Sequence, residues 1–112
     1  MLKLSELKKA LDSIGIPVAY HHFEGSHAYP YIVYEETGKT GVYADGVNYE
    51  TYSDVQIDLY TATKNRKLES KVAKALEELE IPFTASETVV EAEDCYAVSF
   101  YTEIFLEDED EE

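Results

Sequence analysis

The chain is poor in basic residues and has a single cysteine. Nine Lys and Arg stand against 24 Asp and Glu in 112 residues, a formal charge of −15. Ordinary nucleic-acid binding takes its affinity from cationic contacts to phosphate, so this balance argues against it. A single cysteine, Cys95, excludes an internal disulfide and a thiolate metal cluster. Its place beside Tyr96 in an expected strand suits a small packed residue better than a reactive one. No apolar run approaches the ~20 residues of a membrane span, and no charged-then-apolar leader is present. A cytoplasmic protein without a membrane partner is the expectation. G-x-G-x-x-G, G-K-[ST] and nucleophile-elbow motifs are all missing. No enzymatic activity, catalytic residue or cofactor is expected.

Apolar residues make up 45% of the chain, enough to bury a core. The length holds one domain, 1–106. The segment 107–112 is a run of six acids that repel one another, and a disordered acidic tail is expected there. The basic residues are unevenly placed. All but Lys39 lie on or beside two helical stretches, and no Lys or Arg follows Lys74.

The most informative stretch is 52–76. Val55, Ile57 and Leu59 alternate with Asp54, Gln56 and Asp58, the period of a half-buried strand. Leu68, Val72, Ala75, Leu76 and Leu79 then follow helical spacing. A strand therefore passes its apolar face to a helix able to cover it. Leu4, Leu7, Leu11 and Ile14 mark an earlier helix over 2–14, which Gly15 and Pro17 end. Strands are expected over 18–23, from Tyr31 to Glu36, over 52–61, over 84–91 and over 96–106, and the second helix over 65–80. The expectation is an α+β fold in the order αβββαββ, an antiparallel sheet with two helices packed on one face. The segment 38–51 shows no clean period. It reads as a long loop suited to contact, or as a short hairpin at Asp45-Gly46.

Candidate chemistry is sparse. His21 and His22 fall on opposite sides of an extended strand and cannot share an ion without distortion. His27 lies past a turn, and no further ligand pattern supports a metal site, so none is expected. Asp54 and Asp58 share a strand face, which a solvated polar surface explains better than acid–base catalysis. The ten tyrosines are the unusual item. Tyr60 shares the polar side of its strand, and Tyr101 lies opposite Val98 and Phe100. Tyrosine suits interfaces because it joins a large apolar ring to a hydrogen-bonding tip. Cross-strand aromatic pairing is the alternative. The candidate interface residues are Tyr43, Asp45, Val47, Tyr49, Tyr52, Tyr60 and Tyr101.

The passage Val55-Gln-Ile-Asp-Leu-Tyr-Thr61, with Lys64 and the helix Leu68-Glu-Ser-Lys-Val72 to Leu76, resembles the tail completion or tail terminator proteins of long-tailed bacteriophages and prophages of Gram-positive hosts. So do Gly15-Ile-Pro-Val-Ala-Tyr-His-His-Phe23, Pro30-Tyr-Ile-Val-Tyr34 and Ala44-Asp45. The resemblance implies a compact α+β subunit without enzymatic activity. It also implies a homo-oligomeric ring, typically hexameric, that caps the tail tube and meets the head connector, placing the chain in the virion neck after assembly in the bacterial cytoplasm. Its partners would be the tail-tube protein and the head–tail connector protein, with no sequence-specific nucleic acid. The acidic tail departs from the pattern. Alternatives are another connector component, such as a stopper, or an acidic DNA mimic that binds a nucleic-acid enzyme.

Overall fold

A computed structural model describes residues 2–22, 28–91 and 94–106, without the side chains of 48–50. In chain order the elements are α1 (Leu4–Asp12), β1 (Val18–Tyr20), β2 (Tyr31–Ala44), β3 (Val47–Thr61), α2 (Arg66–Glu78), β4 (Phe83–Val90) and β5 (Cys95–Ile104). The fold is α+β. The strands form one five-stranded sheet in the order β1-β2-β3-β5-β4.

Both helices start and stop for local reasons. The Lys3 N–H donates to Glu6 Oε1 at 2.8 Å, which satisfies a donor at the start of α1. Asn65 Oδ1 accepts from the Leu68 N–H at 3.1 Å at the start of α2. At the end of α2 the Glu80 N–H reaches Glu77 O at 2.9 Å, and the Ile81 N–H reaches Leu76 O at 3.0 Å. These are the two hydrogen bonds of a Schellman cap, and Glu80 takes the left-handed position at φ +61°. Ile81 then folds into the core beside Leu76. Helix α1 ends earlier than its apolar spacing suggested, with Gly15 at φ +97° carrying the chain away.

Leu7 and Leu11 of α1 and Val72 and Leu76 of α2 enter one core with Ile32, Tyr34, Val55, Ile57, Leu59, Val98 and Phe100 of the sheet. The alternation of β3 thus selects its buried flank as expected. Cys95 is buried, as its packed role required.

Two expectations need correction. First, the sheet is mixed, not wholly antiparallel. Strand β1 pairs parallel to β2, Val18 opposite Ile32 and Tyr20 opposite Tyr34. The antiparallel expectation assumed that a tight turn joins them. Instead β1 stops at Tyr20, and His21 turns the chain at φ +72°. The connection over 21–30 is long enough to carry the chain back along a strand of three residues, roughly 10 Å. The expected turn at 24–27 lies outside the described residues, as does the acidic tail 107–112.

Second, of the two readings of 38–51, the long loop is wrong and the hairpin at Asp45-Gly46 is the one that forms, longer than expected. Strands β2 and β3 run on as a hairpin to a two-residue turn at Asp45 (φ +53°) and Gly46 (φ +78°), the positive-φ pair of a type I′ turn. The sequence hides this length because the hairpin contains two bulges. Thr37 is an extra residue in β2 between Glu36 and Gly38, and Tyr49 is an extra residue in β3 opposite the step from Val42 to Tyr43. Each insertion shifts the alternation by one residue, so no single period of two runs through the segment.

Candidate functional site

Strand β5 reaches along β3 only as far as the pair Ser53–Ile104. Beyond that rung, β2 and β3 pair with each other alone, from Thr40–Tyr52 to Ala44–Val47. The result is a two-stranded arm, roughly 16 Å long at ~3.3 Å per residue. The molecule measures 49 × 30 × 27 Å along its principal axes. A lone hairpin is marginally stable in water, and this one leaves apolar groups uncovered. Tyr43 is 66% exposed, Val47 55% and Val42 40%. The Tyr43 ring lies back over Gly41, where an added Cβ would meet Tyr43 Cε2 at 2.7 Å. Glycine thereby gives the ring a seat on its own strand.

The expected interface residues divide into groups. Tyr43, Asp45 and Val47 come together at the arm tip. The backbone of Tyr49 forms the nearby bulge, and its side chain lies outside the described set. Tyr52 stands at the arm base, its ring centroid 4.1 Å from that of Phe105. Tyr60 sits at the other end of β3, stacked on Tyr31 with centroids 5.0 Å apart, and Tyr31 stacks in turn on Tyr29 at 5.5 Å. That is the cross-strand pairing weighed against an interface role. Tyr101 is 46% exposed on the flank opposite the helices, between Gln56 and Thr84. Val42 and the exposed Val89 of β4 were missed. The Asp-Gly turn was the signal for Val42, because it places flanking residues on paired strands.

The helix-free flank is polar and in part closed. Asp58 is buried on it, accepting from Ser99 Oγ at 2.6 Å and from Gln56 Nε2 at 3.0 Å. Asp54 stands directly opposite Glu103, a like-charge pair that disfavours folding of the isolated chain. The ion pairs among the described residues are elsewhere. Lys8 pairs with Asp12 at 2.8 Å, and Lys64 joins Glu69 at 2.9 Å and Glu87. Hydrogen bonds to Glu87 and then Glu69 hold the Lys64 ammonium above its ordinary pKa.

The edge of the sheet is also open. Strand β4 begins opposite Thr102, so Glu103, Ile104 and Phe105 lack a β4 neighbour. On the side away from β3, Leu2 meets this stretch among the described residues, its N–H donating to Phe105 O at 3.2 Å. A groove lies there, lined by Leu2, Tyr52, Ile81, Phe83, Tyr101 and Phe105 among others.

Among the described residues, no group of three or more His, Cys, Asp or Glu is placed to hold a metal ion. No buried side-chain polar atom among them lacks a partner. The two histidines depart from expectation, however. The left-handed conformation of His21 ends the strand, and the Nδ1 atoms of His21 and His22 lie 3.1 Å apart. The divergence expected from strand geometry fails because the pair does not sit in a strand. His27 lies outside the described residues.

No model of a known protein family and no curated protein matches the chain.

Proposed function

We propose that this chain is a structural morphogenesis protein of a phage or prophage, one that caps the tail tube and joins it to the head connector as a ring of identical subunits. The observation that carries the reading is the apolar-tipped arm. Val42, Tyr43 and Val47 leave the body of the sheet and stay 40%, 66% and 55% exposed. Val42 and Val47 lie on one face of the arm and Tyr43 on the other, so the tip offers exposed apolar groups on both faces, a feature that favours protein contact. The resemblance over 15–105 names the assembly in which such an arm would be used.

Other features favour the same reading. An arm that runs past the end of β5 and the edge strand β4 give two different surfaces. Contact between unlike surfaces propagates head to tail, and closes into a ring when the rotation permits. The excess of acid, −15 per chain, would line a collar that repels DNA phosphates and lets the genome pass. The same charge also favours a second reading, an acidic mimic of DNA that occupies a nucleic-acid enzyme. Capture of a host DNA-binding protein by the purified chain, with no effect on virion assembly, would favour that reading.

The decisive test is electron microscopy of virions produced without the chain. Tails of irregular length, or tails detached from filled heads, are expected. Tails of normal length joined to filled heads would end the proposal.

A further inference from the structure

His21 and His22 form a cluster that the proposed assembly role does not use. Their Nδ1 atoms are 3.1 Å apart, with ring planes 79° from parallel. Backbone bonds fix the turn that brings them together. The His21 N–H donates to Tyr34 O at 2.8 Å, and the His22 N–H donates to Tyr20 O at 2.8 Å. Both rings are exposed at the end of β1, an edge strand of the sheet.

From this geometry we infer that His21 and His22 form a two-imidazole chelate for a borderline divalent transition metal, Cu(II) above Ni(II) and Zn(II). Metal–imidazole bonds run about 2.0–2.1 Å. Two nitrogens 3.1 Å apart then subtend about 98° at a shared ion. That angle lies between the ~90° of a square-planar site and the ~109° of a tetrahedral one. Imidazole suits Cu, Ni and Zn, whereas Mg and Ca prefer oxygen ligands. For one set of nitrogen donors, Cu(II) binds most tightly of the first-row divalent ions. Water completes the coordination of an ion held at this exposed corner. The apo contact needs one Nδ1–H and one bare Nδ1; on binding, the Nδ1–H ring changes tautomer, its proton moving by way of solvent to Nε2, and both neutral rings present a bare Nδ1 to the metal.

The test titrates Cu(II) alone into the full chain, prepared without a histidine tag. The readouts are calorimetry and electron paramagnetic resonance. His21→Asn is the informative variant, because Asn tolerates the left-handed backbone that His21 adopts. His22→Asn removes the other donor, and His27→Asn serves as control. The expected result is one high-affinity ion per chain with two equatorial nitrogens. Affinity falls at least tenfold in His21→Asn and in His22→Asn, and less than threefold in His27→Asn. In the wild-type chain, substoichiometric Cu(II) broadens the ring resonances of His21 and His22 before any others. The inference is overturned by wild-type affinity in both single variants, by absence of binding, by first broadening elsewhere, or by a loss confined to His27→Asn.

Discussion

The arm reading stands on Tyr43, and Tyr43→Ser tests it. A fully buried tyrosine removes about 150–250 Å² from water. Tyr43 is 66% exposed in the single chain, so about 130 Å² of it is still available to a partner. At ~25 cal/mol per Å² the gross gain is about 3 kcal/mol. Part of that area is the hydroxyl and part stays wet at any interface rim, which leaves about 2 kcal/mol. That is roughly a thirtyfold change in the dissociation constant of each contact. The folded chain should not notice the change, because exposed substitutions shift stability by about 0.5 kcal/mol or less. Sedimentation equilibrium over a concentration series reads association, and a urea melt reads stability. Tyr43→Phe keeps the ring seated over Gly41 and should associate like the wild type. Two results refute the reasoning. One is unchanged association in Tyr43→Ser. The other is a fall of more than about 1 kcal/mol in monomer stability, which would make Tyr43 a packing residue of its own chain.

Further expectations follow from positions where the chain departs from a local rule. Glu80→Gly should raise stability by about 0.5–1 kcal/mol, because glycine takes the left-handed cap of α2 without the steric cost Glu80 bears at φ +61°; equal or lower stability on urea denaturation contradicts this. Ser99→Ala should cost about 1.5–3 kcal/mol by leaving the buried Asp58 carboxylate without its short donor. The same change made beside Asp58→Val should cost under about 0.5 kcal/mol, and equal costs in both backgrounds would show that the two side chains are not coupled. Lys64→Met should destabilise the chain by an amount that stays level through neutral pH. The Lys64 pKa is raised in the fold, so its contribution is complete below the ordinary value of 10.5 and disappears as pH climbs through the raised one. A wild-type minus variant difference that instead fades on acidification from pH 8 to pH 5 would place the effect elsewhere.

Where a segment keeps one period, the sequence was legible. Val55, Ile57 and Leu59 alternate without interruption and are all buried on the helix side. Leu68, Val72 and Leu76 hold a helical stripe, and α2 forms under it. Tyr101 was placed correctly because β5 contains no bulge between Val98 and Tyr101. Legibility failed where the backbone inserts a residue or leaves the usual dihedral regions. Thr37 and Tyr49 each break the alternation of the hairpin, so the Asp45-Gly46 turn was legible but the length of the arm was not. His21 leaves the extended region, so a rule written for strands misplaced its ring relative to His22.

By itself, then, the sequence determined an acidic α+β domain, the buried side of its central strand and the stripe of each helix. Those properties are additive over neighbouring residues, and burial follows the side-chain period directly. The tertiary structure alone decided the parallel pairing of β1, the reach of the arm beyond β5, the closure of Asp58 by Ser99 and the meeting of the two imidazoles. Each depends on which distant strand ends where, or on one residue adopting a positive φ. No sum over local preferences contains that information.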